Sequence, residues 1–140
     1  MARDAWQGVG KVNTYHVLIV DDEKDFLDTL SKRLTKRKLH VVCASSGAEA
    51  LEKLAHEEID VVILDVRMPH MNGIETLGEI KKLNPSPEVI MLTGHADLDV
   101  AVHGMELGAF DYLMKPADID ELLYKIKDAY KKKHLNQEKE

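Results

Sequence analysis

His16-Val17-Leu18-Ile19-Val20-Asp21-Asp22-Glu23 is the stretch that decides the fold. Its first five residues read as a strand, and consecutive apolar positions require both faces of that strand to be covered. The run then stops on acids. A second run, Val61-Val62-Ile63-Leu64, stops in the same way on Asp65. Strands buried on both faces belong to parallel sheets, whose ligand sites lie outside the carboxyl ends of the strands. Asp21, Asp22 and Asp65 are therefore expected at one edge, where like charges raise one another's pKa and call for a cation. A nucleotide-binding turn would carry glycines at this point, so that backbone N–H groups could meet a phosphate. Asp21-Asp22-Glu23 would repel that phosphate, so a metal site is the expectation.

Outward from these two runs, β-branched segments alternate with helical patterns. The strands are expected at roughly residues 16–20, 40–44, 60–64, 87–92 and 110–114. Helical spacing joins Phe26, Leu27, Leu30 and Leu34, then Leu51, Leu54 and Ala55, then Ile74, Leu77 and Ile80. It returns in Leu98, Ala101, Val102 and Met105, and in Ile119, Leu122, Leu123, Ile126 and Tyr130. Gly108 suits the residue just past the fourth helix, and Pro85 and Pro87 punctuate the loop after the third. This alternation predicts an open α/β sheet, mostly parallel, with helices on both faces and strands 17–20 and 61–64 at its centre. Residues 1–14 read as an extension, 15–134 as the domain and 135–140 as a polar tail. Lys131-Lys132-Lys133 is read as a solvated helix end that favours the helix dipole.

The 140 residues suit one domain, with roughly two-thirds of the unfolded surface buried. A net charge of -6 argues against nucleic acid as a partner of this domain. Cys43, the one cysteine, excludes an intrachain disulfide and is read as a buried strand residue. No apolar run approaches the roughly 18 residues that span a bilayer, and the amino-terminal residues lack a signal peptide's apolar segment. The expected compartment is the cytoplasm, with no membrane partner.

Two more residues join the acids. Thr93 ends the run Val89-Ile90-Met91-Leu92, and Lys115, followed by Pro116, ends the fifth strand. Three carboxylates, a hydroxyl and an ammonium at one edge suit phosphoryl transfer to a carboxylate, with magnesium as the hard, oxygen-liganded cation. Taken singly the residues say little. Asp22 alone reads as a helix N-cap, Tyr112 alone serves as well for a core aromatic as for a moving one, and His95 alone is a surface histidine.

Taken together, the chain resembles the receiver domain of a two-component response regulator. The resemblance rests on Val17-Leu18-Ile19-Val20-Asp21-Asp22-Glu23, Leu64-Asp65-Val66-Arg67-Met68-Pro69, Met71-Asn72-Gly73, Leu92-Thr93-Gly94-His95-Ala96 and Gly108-Ala109-Phe110-Asp111-Tyr112-Leu113-Met114-Lys115-Pro116. The wording around Arg67 and His95 is similar to receivers of the nitrogen-regulation type. It implies a flavodoxin-like, doubly wound sheet of five parallel strands in the order 2-1-3-4-5. It also implies that Asp65 is the phosphoacceptor, with Asp21, Asp22, Asp65 and the Arg67 carbonyl around Mg2+, Asp21 mainly through a water. Thr93 and Lys115 would hold the phosphoryl oxygens. Thr93 and Tyr112 would switch the surface of the fourth helix, fifth strand and fifth helix. Arg67 and His95 would line the entrance and tune hydrolysis, and the Lys115–Pro116 peptide would be cis.

The implied partners are a histidine kinase or phosphotransfer protein, and a downstream protein or separated output domain. A homodimer through the fourth and fifth helices is left open. Such a receiver is a switch that catalyses only its own phosphorylation and dephosphorylation. The rivals are a Mg-dependent phosphohydrolase with an aspartyl-phosphate intermediate and a degenerate receiver that binds without phosphorylation. The hydrolase type carries an acid two residues after its nucleophile, where this chain has Arg67. The intact acids, Thr93 and Lys115 weigh against a degenerate receiver.

Overall fold

The computed structural model of the chain describes residues 14–68 and 71–139, with side chains as far as residue 135. The proposed extension, apart from Thr14, lies outside the described residues, as do Pro69 and His70 of the motif. Five strands alternate with five helices: β1 (His16–Val20), α1 (Lys24–Lys36), β2 (His40–Ala44), α2 (Gly47–His56), β3 (Val61–Asp65), α3 (Gly73–Leu83), β4 (Glu88–Thr93), α4 (Leu98–Glu106), β5 (Asp111–Met114) and α5 (Ile119–Lys139). A single 3-10 turn, His95–Asp97, leads into α4. The strands form one parallel sheet in the order β2-β1-β3-β4-β5.

The two-residue period of each strand divides the core between the two faces of the sheet. Leu18, Val20, Val62, Leu64, Val89 and Met91 point to the face covered by Ala50 and Leu54 of α2, Leu77 and Ile80 of α3, and Ala101 of α4. Val17, Ile19, Val61, Ile63, Ile90 and Leu92 point to the other face, against Leu27, Leu30 and Leu34 of α1 and Leu122, Ile126 and Ala129 of α5. The strand residues of both sets are essentially inaccessible to solvent, each contributing about 1.5–3 kcal/mol by burial. This two-sided cover is why the strands read as unbroken apolar runs.

Register then carries the site. Val20 pairs with Leu64, so one step further along both strands sets Asp21 beside Asp65. Thr93 pairs with Met114, and the Lys115 amide donates to the Thr93 carbonyl at 2.8 Å, which sets Lys115 one step beyond β5. Gly73 fixes the exit from β3. Its amide donates to the Val66 carbonyl at 3.0 Å, and a Cβ there would meet Val66 Cα at 2.5 Å and the Asp65 carbonyl oxygen at 2.6 Å. Only glycine lets α3 start so close to Asp65. Asn72 and Glu75 close a reciprocal capping box over the same turn. At the other end of the sheet, Gly108 adopts φ +109° just past α4, which frees the chain to turn into β5.

Three readings are corrected. The N-cap position of α1 is Glu23 rather than Asp22, and the orphan amide of Glu23 is satisfied by Asp21 Oδ1 at 2.9 Å. Cys43 is half-buried, because β2 is an edge strand with a thinner cover. Lys133 is no solvated end: α5 runs on to Lys139, and the Lys133 ammonium is buried 2.6 Å from Asp60 Oδ1. Among the described residues, no helix is long and apolar enough to cross a membrane.

Candidate functional site

Asp21, Asp22 and Asp65 meet at the carboxyl edge of the sheet, each with an oxygen within 4.8 Å of the others'. Asp21 is fully buried, Asp65 nearly so, and Asp22 faces solvent. Lys115 reaches into the group from the end of β5. Its Nζ donates to Asp21 Oδ2 at 2.8 Å and stands 3.3 Å from Asp65 Oδ1 and 3.5 Å from the exposed Glu23 Oε1. The peptide between Lys115 and Pro116 is cis.

Three carboxylates thus share one ammonium, and the Asp22 carboxylate adds a fourth negative charge beside Asp21 and Asp65. Burial and the neighbouring Asp21 charge push the Asp65 carboxyl up to about 6, against the pull of Lys115 and the Arg67 amide. Lys115 goes the other way. Burial alone would lower it, but contact with Asp21 and Asp65 raises it above the usual lysine value. This donor set fits a hard divalent ion: its side-chain ligands are all carboxylate oxygens, one of them accessible, and they carry more charge than Lys115 balances.

The site opens into a cleft of about 590 Å³ lined by Asp22, Glu23, Asp65, Arg67, Met68, Gly94, Asp97 and Lys115. The structure brings Asp22, Asp65, Arg67 and Lys115 together there and places Thr93, Tyr112 and His95 off its lining. Thr93 is fully buried, and its hydroxyl donates to the Gly94 carbonyl at 3.0 Å. Tyr112 is half-buried against the α2–α3–α4 side of the core. His95 is exposed on the 3-10 turn, two residues before Asp97.

Arg67 has a different partner, one not anticipated from the sequence. Its Nε and Nη2 donate to the two carboxylate oxygens of Asp97, both at 2.9 Å. This fork holds the guanidinium at the mouth of the cleft and keeps the Asp97 carboxyl below the usual range. An acid four residues after Thr93 gave no signal on its own, because the pairing depends on how the turn before α4 folds back towards β3. Asp97 occupies the N-cap position of α4 without capping it, its carboxylate being engaged by Arg67 instead.

A family model described as the response regulator receiver domain matches residues 17–127. The chain belongs to that family. Among curated relatives of this receiver, the transcriptional regulatory protein GlrR of Escherichia coli K12 is 44% identical over 114 residues, which cover 81% of this chain and 26% of that protein. The DNA-binding transcriptional regulator NtrC of the same organism is 42% identical over 113 residues, covering 81% of this chain and 24% of NtrC. The chain thus spans about a quarter of the length of the curated relatives it matches. A solved receiver domain protein from Clostridium thermocellum superposes with a TM-score of 0.83 at 41% identity, covering 86% of this chain and 98% of that one. NtrX from Brucella abortus, solved with ADP, gives a TM-score of 0.85 at 29% identity, over 90% of this chain and 29% of NtrX. The receiver is therefore similar to those of NtrC-type regulators.

Proposed function

We propose that this receiver is a phosphorylation switch in the cytoplasm. Asp65 accepts a phosphoryl group from the phosphohistidine of a kinase or phosphotransfer protein, and the change is read by a downstream protein or output domain. The observation that carries this reading is the strained charge balance at Asp65, a carboxylate pushed up to about 6 while an ammonium stands 3.3 Å from it. An Asp65 oxygen forms the new O–P bond as the donor's N–P bond breaks and the imidazole leaves with the electron pair. Lys115 already lies beside that oxygen and offers its protons to a phosphoryl oxygen. Asp21, Asp22, Asp65 and the Arg67 carbonyl would hold Mg2+, which when bound offsets the carboxylate charge and the charge of the incoming phosphoryl group.

The surface response starts from Thr93. Its hydroxyl is satisfied by Gly94, so meeting a phosphoryl oxygen on Asp65 requires it to exchange that partner. Tyr112, half-buried beside the space this opens, follows it inward and biases the α4–β5–α5 surface. Arg67, held by Asp97 at the cleft mouth, and His95, on the turn outside it, set the lifetime of the acyl phosphate. Pairing of two copies through α4 and α5 is one form the output takes.

Incubation with acetyl phosphate and magnesium, followed by intact mass, tests the reading. A phosphate-sized increment that vanishes in Asp65→Asn is the expected result. No increment in the wild-type chain overturns it, and rapid turnover of added phosphomonoesters would favour a phosphohydrolase instead. Lys115→Ala is expected to keep some labelling while losing the NMR shifts on α4, β5 and α5.

A further inference from the structure

Lys115 has a fourth neighbour that is not an acid. Its Nζ lies 4.5 Å from the centroid of the Phe26 ring. Phe26 is the third residue of α1, half-buried against the core cluster that includes Leu27, Leu30 and Ile63. Its helical spacing assigns it to the core and gives no hint of the site. The structure puts it in both places, because α1 begins directly after Glu23 and its first turn runs along the edge that carries the acids.

The ring answers a problem that the acids create. Lysine has a flexible stem, and Asp21, Asp65 and Glu23 all compete for its one ammonium. Another carboxylate would add one more rival. An aromatic face attracts the cation without accepting its conventional hydrogen bonds and without adding net charge. It covers one flank of Nζ, and the N–H groups stay directed at Asp21 and Asp65. A leucine at this position could fill the seam between α1 and the sheet, but it has no quadrupole to offer.

We propose that Phe26 is a positioning residue for phosphoryl transfer, its ring face holding the Lys115 ammonium between Asp21 and Asp65 where an incoming phosphoryl oxygen must be met. This role rests on the receiver reading above, with Lys115 as the oxygen's partner.

The test compares labelling rates with acetyl phosphate and magnesium, read by intact mass on the full chain. The panel is the wild type, Phe26→Leu, Phe26→Tyr, and chains carrying mono-, di- and trifluorophenylalanine at position 26. Phe26→Leu is expected to label about three- to tenfold more slowly, and Phe26→Tyr close to the wild-type rate. The fluorinated series keeps the ring's shape while draining its negative face, so the rate should fall stepwise with each fluorine. In a Lys115→Ala background, Phe26→Leu should cause no further loss, since the two act as one unit. A flat fluorinated series overturns the role, and so does a Phe26→Leu loss that persists without Lys115. Wild-type chain that labels while the series stays flat overturns this role alone; wild-type chain that never labels overturns the receiver reading and this role with it.

Discussion

Each edge of the sheet buries an aspartate beside a lysine, and the two pairs are built to opposite ends. At the amino edge, Asp60 Oδ1 is met by Lys133 Nζ at 2.6 Å, and Oδ2 accepts the His16 amide at 2.9 Å. One acid faces one ammonium, with the His16 ring nitrogen 3.5 Å from Oδ2; the Asp60 and Lys133 side chains are under a tenth exposed, and both carboxylate oxygens have partners. At the carboxyl edge, Lys115 is shared among Asp21, Asp65 and Glu23, with Asp22 close by. The consequence is that the two carboxyls are pushed in opposite directions. Burial alone would raise Asp60, but Lys133 and the His16 amide hold it below the usual carboxylate range. Burial raises Asp65 as well, and there Asp21 adds to the rise so that Lys115 does not win. A balanced pair is a clamp; an unbalanced one is a place for another charge to arrive.

Breaking the balanced pair has the largest expected effect. Lys133→Met leaves Asp60 buried without its cation, a loss of about 3–5 kcal/mol that a urea midpoint at neutral pH will show. The pH dependence has a definite sign. Because the folded-state pKa of Asp60 is lowered, its stabilisation is complete above about pH 4 and is lost as pH falls through the lower folded value. The Lys133→Met chain should lose that acid-side contribution and weaken instead towards neutral pH. Adding Asp60→Leu should recover most of the loss, since two apolar groups leave no charge stranded. If Lys133→Met unfolds at the wild-type midpoint, the amino edge is no clamp.

The contrast between the edges also separates what the sequence makes legible from what it does not. The carboxyl-edge acids end apolar runs, so alternation of strands and helices is enough to gather Asp21, Asp65, Thr93 and Lys115, and strand register finishes the work. Asp60 and Lys133 are 73 residues apart, and their meeting depends on how far α5 continues past its apolar stripe. Three consecutive lysines look like a solvated end until tertiary packing turns one of them inward. Asp97 escaped notice for a similar reason, because its partner is chosen by a turn and not by a period. Phe26 was seen but only half understood: helical spacing reports that a residue is buried, and is silent on what lies over its ring.

Relieving the unbalanced edge comes next in size, and its sign is opposite. In metal-free protein, Asp65 carries a folded-state pKa of about 6 against an ordinary value of 3.8. Between these values the folded chain holds more proton than the unfolded one, so stability falls as pH rises from about 4 to about 6. Asp65→Asn should remove that slope and stabilise the metal-free chain at pH 8 by roughly 2–3 kcal/mol. Magnesium should raise the wild-type midpoint and do much less for Asp65→Asn. A destabilised Asn variant, or an unchanged slope, would show that the acids at this edge are not in excess.

The smallest effect sits at the cleft mouth, where the Arg67–Asp97 fork is balanced like the amino-edge clamp but faces solvent, the arginine side chain being 74% exposed. Exposure decides its weight. Water screens the pair, so Asp97→Ala should leave the urea midpoint almost unchanged. Its consequence is instead local, because a guanidinium without Asp97 is drawn towards the remaining negative charge around Asp65. There it competes with a divalent cation for the same carboxylates, and calorimetry should show magnesium binding weakened by about two- to fivefold. Asp97→Ala combined with Arg67→Ala should restore the affinity by removing the competitor. Unchanged magnesium binding in Asp97→Ala would mean that the fork only decorates the entrance, and that the charge imbalance at this edge ends with Lys115.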